Sequence, residues 1–266
     1  MVKEKKSFSH ITMIGIEAAL QAGEILRQGF GSTFSISNKP GGSHNLVTEY
    51  DFRSEKLIID FLKHNVPDSS FLAEESGSTG SKNKLIWIID PLDGTVNFAH
   101  HIPVFSVSIA AEKNGELISG VIYQPITQEL FVAEKGGGAF LNGHPIRVST
   151  TQTLEKAILA TGFPYNLAEN PHQCIDHFTD ILKLGIPIRR MGSAAIDLAY
   201  TAAGRFDGYF EVELSPWDLA AGRLLLEEAG GKITNWDGSP FDIRSKSPLF
   251  ASNQHIHNAG IRILNR

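Results

Sequence analysis

The side chains best suited to chemistry are two carboxylates and a hydroxyl that follow a short apolar run. Residues 85–89, LIWII, are typical of a strand buried on both faces, and Asp90 follows them directly. Because Pro91 cannot continue the hydrogen bonding of a sheet and Asp93-Gly94 favours a tight turn, both carboxylates should lie at the end of a rigid strand. Together with the hydroxyl of Thr95 and nearby backbone amides, they could bind hard cations and a phosphate.

The same stretch is also typical of an ordinary strand-turn-helix corner, in which Asp93 begins the turn and Thr95 caps a helix. Other acids at the ends of predicted elements bear on this choice. They are Asp51 at the start of a helix, Glu74 and Glu75 after a short strand at 70–73, and Asp218 in the first turn of a later helix.

Each of these acids also has a local interpretation. Asp51 could cap its helix, and Ser215 with Asp218 has the pattern of a capping box. Adjacent residues of a strand point to opposite faces, so only one of Glu74 and Glu75 is expected to reach a given site. Sequence alone leaves both interpretations open.

Gathered in one place, these carboxylates would raise one another's pKa and destabilise the fold unless a divalent cation neutralised them. The chain has no pair of histidines at zinc-protease spacing, and Cys174 is its only cysteine, so a thiolate cluster is excluded. Ligation by oxygen alone favours Mg²⁺, with Mn²⁺ as an alternative ion. Cys174 itself is expected to be a buried, inert thiol.

Hydrophobic periodicity predicts the elements that position the acids of the first half. Apolar residues at helical spacing predict an amphipathic helix over about 9–30 and another over 54–62. Between these helices, the Gly/Pro/Ser cluster of residues 35–45 predicts a mobile surface loop, in which Lys39 is a candidate lid residue. Apolar runs separated by turn residues predict an antiparallel meander over 104–112, 117–123, 130–133 and 139–141.

The second half follows a polar seam at 150–153 and alternates between the two kinds of element. The predicted strands cover 157–161, 186–190, 207–212 and the region around Ile233, and the predicted helices cover 171–184, 194–203 and 216–229. The small residues Gly192, Ser193, Ala194 and Ala195 begin one of these helices, either leaving amides for a ligand's hydroxyls or simply capping it through Ser193. We therefore predict one α+β domain over 1–266, with halves of about 1–150 and 151–266.

The amino-acid composition and net charge limit the classes of protein to which this chain can belong. The 266 residues are 42% apolar and 20% charged, which are globular values, and the formal net charge is −5. This charge gives no electrostatic reason to expect direct binding of nucleic acid or of an anionic membrane. No window approaches 18 apolar residues, so the expectation is a soluble, cytoplasmic protein.

Four motifs, in order along nearly the whole chain, resemble those of the inositol monophosphatase family. Residues 87–98, WIIDPLDGTVNF, are similar to its first signature. Residues 217–222, WDLAAG, followed by EAGG at 228–231, are similar to its second. The sequences AEE at 73–75 and NLVTEYD at 45–51 stand where that family has its remaining acids.

This resemblance implies a layered α/β/α/β/α sandwich of the sugar-phosphatase type, with the meander in the first half and a mixed sheet in the second. It implies a Mg²⁺-dependent, lithium-sensitive phosphomonoesterase, usually a homodimer, that hydrolyses inositol monophosphate to inositol and phosphate. Two metal ions would assist in-line attack by water, and a third, weaker ion would bind near Glu74.

The resemblance also implies roles for individual residues. The metal ligands would be Glu74, Asp90, the Leu92 carbonyl, Asp93 and Asp218. Asp51 and Thr95 would position and deprotonate the attacking water, and Glu75 would support the residues that bind the metal. The substrate would be bound by Asp93, Gly94, Thr95, Gly192, Ser193, Ala194, Glu211 and Asp218.

Several residues depart from the family pattern and leave the substrate open. Ala73 replaces the usual Gly, the loop with Lys39 is one residue longer than in animal members, and Ser215 replaces a His that contacts inositol. Fructose 1,6-bisphosphate, adenosine 3′,5′-bisphosphate, NADP and histidinol phosphate are alternative substrates of the same chemistry. A different class of function is a protein partner in transcription or RNA processing that retains the phosphatase fold.

Overall fold

The computed structural model describes residues 8–39, 45–79 and 84–265, and within these ranges the chain is a layered α+β protein. The strands are β1 (Ile36–Asn38), β2 (Leu46–Thr48), β3 (Ser70–Ala73), β4 (Gly77–Thr79), β5 (Leu85–Asp93), β6 (Ser106–Lys113), β7 (Glu116–Gln124), β8 (Glu129–Glu134), β9 (Gly138–Leu141), β10 (His144–Ile146), β11 (Leu159–Thr161), β12 (Ile188–Arg189), β13 (Gly208–Glu211), β14 (Lys232–Asn235) and β15 (Leu249–Ser252). The α-helices are α1 (His10–Gly29), α2 (Glu49–Asn65), α3 (Thr95–Ala99), α4 (Cys174–Lys183), α5 (Ala194–Ala202), α6 (Pro216–Glu228) and α7 (Gln254–Leu264).

The larger sheet has eight strands in the order β10-β9-β8-β7-β6-β5-β3-β4. From β5 to β10, each strand runs antiparallel to the next, which confirms the predicted meander, whereas β3 lies parallel to β5 on its other side. The smaller sheet has the order β12-β11-β13-β15-β14. Strands β12, β11 and β13 are parallel to one another, and β15 runs antiparallel to both of its neighbours, β13 and β14. The predicted mixed sheet of the second half is therefore confirmed.

Strand β5 is buried on both faces, because its alternate residues belong to different cores. Trp87 and Ile89 pack in the core that includes Ala18 of α1 and Ile58 of α2. Ile88 packs in the opposite core, with residues of α5 and α6. An uninterrupted apolar run is the pattern expected of such a strand.

The smaller sheet also separates two cores. Tyr209 of β13 faces the core of α5 and α6, whereas its neighbour Phe210 packs with Ile181 of α4 and Ile256 of α7. The layers are thus α1/α2, the large sheet, α5/α6, the small sheet and α4/α7, which confirms the α/β/α/β/α arrangement.

The structure differs from the sequence predictions in several places. The predicted loop at 35–45 contains strand β1, whose Ile36 pairs with Thr48 of β2, because backbone pairing here outweighs the local loop composition. Residues 40–44 of that loop lie outside the described residues. The helix predicted from 171 begins with a 3₁₀ turn at Pro171–Gln173, and only Cys174–Lys183 is α-helical. The elements that the sequence did not predict also include strands β2, β4, β10 and β15 and helix α7.

Two further sequence expectations concern the interior and the membrane. The single cysteine, Cys174, is buried and unpaired, as predicted. In the ranges that the structure describes, none of the helices combines the length and the apolar character that crossing a bilayer requires.

The contact between β7 and α6, the helix that carries Asp218, depends on a glycine. A Cβ added at Gly120 would lie 2.8 Å from the carbonyl oxygen of Ala221, which is backbone and cannot rotate away. We expect Gly120→Ala to lower the free energy of unfolding by about 1–3 kcal/mol, the usual cost of overpacking, in chemical denaturation.

Gly15→Ala is the matched control for that substitution. A Cβ at Gly15, inside α1, would make ordinary contacts of 3.5 Å with Trp87 and 3.6 Å with Val121. Because alanine also favours helix over glycine, Gly15→Ala should be neutral or stabilising. Equal effects of the two substitutions would contradict the close backbone approach of α6.

Candidate active site

A β-bulge at the end of β5 places two carboxylates on the same side of the sheet. Asp90 pairs with Ser108 of β6 and Asp93 pairs with Ser106, so three steps along β5 oppose two steps along β6. In a regular strand, residues three apart point to opposite faces. The extra residue of the bulge cancels that reversal, and Asp90 and Asp93 point the same way.

Asp218 joins these two residues from the first turn of α6. Carboxylate oxygens of Asp90, Asp93 and Asp218 all lie within 4.8 Å of one another. The amide of Ser215 donates to Asp218 Oδ2 at 2.7 Å, so the capping box predicted from the sequence is also present. Asp218 therefore begins its helix and belongs to the acidic cluster at the same time.

Burial of this cluster disfavours its charged form. It raises the pKa of Asp90 and Asp218 well above the ordinary value, and the charges of neighbouring acids, including Glu74, raise them further. Burial also raises the pKa of Asp93, to about 6, although hydrogen bonds from Ser193 and the Ala195 amide favour its carboxylate. Like charges in this position require a cation if all of them are to ionise near neutral pH.

The beginning of α5 binds Asp93 directly. The Ser193 hydroxyl donates to Asp93 Oδ2 at 2.5 Å, and the Ala195 amide donates to the same oxygen at 2.8 Å. Ser193 also caps α5, since its Oγ accepts from the Ile196 amide at 3.4 Å. Ser193 and Ala195 thus hold Asp93, which is a predicted metal-binding residue. The contact of these small residues with the hydroxyls of a bound molecule stays a prediction.

The buried Asp51 and the partly buried Thr95 form a second group beside the cluster. Thr48 caps α2, and Asp51 Oδ2 accepts from its amide and its hydroxyl, both at 2.7 Å. The other oxygen of Asp51 lies 2.9 Å from Thr95 Oγ1, which is also 3.0 Å from the Leu92 carbonyl oxygen. Burial raises the pKa of Asp51 to about 6, a value suited to accepting a proton near neutral pH.

Glu74 and Glu75 reach one place together, contrary to the expectation from strand alternation. Lys39 Nζ lies 2.7 Å from Glu74 Oε1 and 2.5 Å from Glu75 Oε1. The expectation was wrong because β3 ends at Ala73 and both acids lie in the following turn, where alternation no longer applies. Burial raises the pKa of Glu75 to about 7, although Lys39 opposes this.

Lys39 connects the β1 side of the fold to these acids. Burial disfavours its ammonium, but the carboxylates of Glu74 and Glu75 outweigh this and raise its pKa. Glu75 is also held through its amide, which donates to the buried carboxylate of Glu55 at 2.8 Å. These contacts give Lys39 a position against the site, and its function as a lid residue stays a prediction.

The turn after β5 is packed against residues 191–192 by Asn97. Asn97 Nδ2 donates to the carbonyls of Val104 at 2.7 Å and Met191 at 2.8 Å. Gly94 has φ +100°, and a Cβ there would lie 3.0 Å from the Val104 carbonyl, so both conformation and space require glycine. Sequence analysis gave Asn97 no role, because its partners are carbonyls that no side-chain pattern reveals.

The donor set fits a hard divalent cation. Asp90, Asp93 and Asp218 supply close carboxylate oxygens, and the charge of Glu74 contributes to the raised pKa of all three. Mg²⁺ prefers oxygen ligands of this kind, and its charge would offset the repulsion within the cluster.

The raised pKa values predict how stability depends on pH without metal. A group whose pKa is higher in the folded state stabilises that state when protonated, and the contribution is lost as pH rises through the folded pKa. For Asp51 and Asp93, with folded pKa values of about 6, each loss is on the order of 2–3 kcal/mol between about pH 4 and pH 7. In a chelator, the thermal midpoint should fall over this range, and Mg²⁺ should restore it most strongly above pH 7.

Asp218→Asn tests whether the cluster causes this behaviour. The substitution removes one buried acid, so we expect a smaller fall with pH and a weaker stabilisation by Mg²⁺. Asp60→Asn, at an exposed residue paired with Lys56, should behave as wild type. A metal-free midpoint that stays constant or rises from pH 5 to pH 8 would contradict the burial of ionisable acids here.

Comparisons with known proteins identify the family to which the chain belongs. The Inositol monophosphatase family profile matches residues 8–266. Inositol-1-monophosphatase of Caulobacter vibrioides is 41% identical over 245 residues, covering 91% of this chain and 96% of that protein. The Nus factor SuhB of Escherichia coli is 42% identical over 226 residues, covering 85% of each. The crystal structure of extragenic suppressor protein suhB from Bartonella henselae superposes with a TM-score of 0.91 at 41% identity, covering 97% of this chain and 99% of that one. The chain belongs to the inositol monophosphatase family, whose members are metal-dependent phosphoric monoester hydrolases.

Proposed function

We propose that the protein is a Mg²⁺-dependent phosphatase that hydrolyses inositol monophosphate to inositol and phosphate. The observation that carries this proposal is the convergence of Asp90, Asp93 and Asp218, whose oxygens lie within 4.8 Å of one another at the end of β5. Family membership supports the reaction class, and the names of relatives such as that from Caulobacter vibrioides support the substrate.

The metal ligands in this proposal are Glu74, Asp90, the Leu92 carbonyl, Asp93 and Asp218. They would hold two Mg²⁺ ions, with a third, weaker ion near Glu74 and Mn²⁺ as an alternative metal. When bound, such ions lower the pKa of water and offset the negative charge of a phosphoryl group. Glu74 must then exchange its ion pair with Lys39 for metal ligation, or share its two oxygens between them.

The Asp51–Thr95 pair would activate the attacking water. Thr95 Oγ1 can accept a proton from water while passing its own proton to Asp51 Oδ1, which lies 2.9 Å away. The water oxygen then forms a bond to phosphorus as the ester oxygen departs on the opposite side. Glu75 supports this arrangement from the neighbouring turn.

Binding of the substrate divides between the two halves of the site. Backbone amides of Gly94 and Thr95, at the start of α3, would donate to phosphate oxygens. Gly192, Ser193, Ala194 and Glu211 would contact the alcohol, while Asp93 and Asp218 would border both groups. A homodimer in the cytoplasm and inhibition by Li⁺ complete the proposal.

The test of this function is phosphate release from a panel of esters, with and without Mg²⁺ and Li⁺. We expect Mg²⁺-dependent hydrolysis of inositol 1-phosphate that exceeds hydrolysis of fructose 1,6-bisphosphate, adenosine 3′,5′-bisphosphate, NADP and histidinol phosphate, because Glu211 and residues 192–194 favour a polyol. Faster turnover of another ester would replace inositol monophosphate as the substrate. Equal slow release from all of them would leave the inositol assignment unsupported.

Asp93→Ala tests the assignment of the cluster to catalysis. Asp93 would serve both metal and substrate, so its truncation should lower kcat by at least about a thousandfold while the fold is retained. Circular dichroism and thermal unfolding should report a folded variant, and Asp60→Ala, at an exposed position, is the matched control with normal activity. Near-normal turnover by Asp93→Ala would contradict its role.

A second candidate function is binding to a transcription or RNA-processing complex. The similarity to the Nus factor SuhB of Escherichia coli favours it, at 42% identity. The acidic net charge of −5 favours a protein partner over direct contact with nucleic acid. Capture of transcription proteins that is unaffected by Asp93→Ala would show that such binding is separate from hydrolysis.

A further inference from the structure

Glu211 is held by a buried tyrosine on its own strand. Tyr209 and Glu211 are two residues apart on β13, so their side chains lie on the same face of the sheet. The Tyr209 hydroxyl donates to Glu211 Oε2 in a short hydrogen bond. Tyr209 is fully buried and packs in the core of α5 and α6, which leaves its hydroxyl little freedom to move.

The neighbouring strand leaves space for the Glu211 carboxylate. Gly162 follows β11, which runs parallel to β13 and pairs Thr161 with Phe210. A Cβ added at Gly162 would overlap both carboxylate oxygens of Glu211. Thr161 Oγ1 donates to the Phe210 carbonyl at 2.8 Å and fixes the two strands at this point. The Glu211 carboxylate therefore lies between the Tyr209 hydroxyl on one side and the backbone of Gly162 on the other.

The electrostatics preserve this arrangement. Burial raises the pKa of Tyr209 well above its ordinary value, and the nearby charges of Glu211 and Asp197 raise it further, so the hydroxyl keeps its proton and remains a donor. Burial raises the pKa of Glu211 to about 7, while the Tyr209 hydrogen bond favours the carboxylate. Since each carboxylate oxygen has two lone pairs, Glu211 can accept further hydrogen bonds while bound to Tyr209.

We propose that Tyr209 is a positioning residue that fixes the Glu211 carboxylate to accept hydrogen bonds from hydroxyl groups of the substrate's alcohol. Gly162 provides the space that this position requires. A fixed, buried acceptor discriminates between substrates, because an alcohol without hydroxyls leaves it unpaired. Tyr209 would thereby favour esters of polyhydroxylated alcohols, an inference that rests on the proposed function.

The test compares two esters in Tyr209→Phe, which removes only the hydroxyl. We expect the ratio of kcat/KM for inositol 1-phosphate to that for phenyl phosphate, whose leaving group has no other hydroxyl, to fall about tenfold, mainly through KM. Tyr200→Phe is the matched control. It removes a hydroxyl that donates to Glu129 at 3.0 Å, away from the cluster, and should leave the ratio unchanged.

A double-mutant cycle separates positioning from a general effect on structure. If Tyr209 acts through Glu211, the ratio in the Tyr209→Phe/Glu211→Gln double variant should match that of Glu211→Gln alone. Additive effects would overturn the inference. Should Tyr209→Phe fail to fold, Gly162→Ala, which displaces the carboxylate from the other side, should lower the same ratio, and an unchanged ratio there would overturn it.

The outcomes also separate this inference from the proposed function. Wild-type hydrolysis of both esters with an unchanged ratio in Tyr209→Phe would overturn only the role of Tyr209. Wild-type protein that hydrolyses neither ester with Mg²⁺ would overturn the proposed function and this inference with it.

Discussion

Repulsion among buried carboxylates is the constraint on which this structure depends. Asp90, Asp93 and Asp218 converge to within 4.8 Å, although Asp93 at the end of β5 and Asp218 in the first turn of α6 are 125 residues apart in sequence. The surrounding fold counters the repulsion with fixed donors, namely the amides of Leu92, Ala195 and Ser215. Hydrogen bonds from uncharged donors do not neutralise three negative charges, and the pKa values of these acids are raised despite them. The fold is stable around this site either with protonated acids or with a bound cation.

Local helix-capping and a functional role prove to be compatible in this site. Asp51 and Asp218 each complete a capping box. The other oxygen of Asp51 lies against Thr95, and Asp218 also contributes a carboxylate oxygen to the acidic cluster. Capping fixes the rotamer of a carboxylate before any ligand arrives, which reduces the entropy that metal or substrate binding must overcome. The two interpretations left open by sequence were therefore not alternatives. A carboxylate in the first turn of a helix can cap the helix and, held rigidly by that cap, also face a binding site.

Sequence predicted the elements carrying the acids, since β5 is a continuous apolar run and α6 begins with a recognisable Ser-Pro-x-Asp cap. The sequence could not predict the directions in which the side chains of these acids point. The bulge between Asp90 and Asp93 depends on pairing with Ser106 and Ser108 across the sheet, and the shared contact with Lys39 depends on the turn after Ala73. Strand β1 was missed for the same reason, because its pairing with β2 is not visible in a cluster of loop-forming residues. Tyr209 resembles any core aromatic until Glu211 is seen beside it.

The two sheets contribute different parts of the proposed reaction. Groups assigned to metal and water lie at the end of β5, in the turn after β3 and at the starts of α2 and α6, all of which contact the large sheet. Glu211, assigned to the alcohol, lies on the small sheet, beside Gly162. Helix α5 joins the two parts, because Ser193 at its start binds Asp93 while its body packs with Tyr209. Under the proposed function, substitutions on the small sheet would change which alcohol is accepted without altering the residues assigned to the metal. In this proposal, the family signatures contain the residues assigned to metal and water, so they predict the chemistry. The residues assigned to the alcohol lie mostly outside them, so the signatures do not predict the substrate.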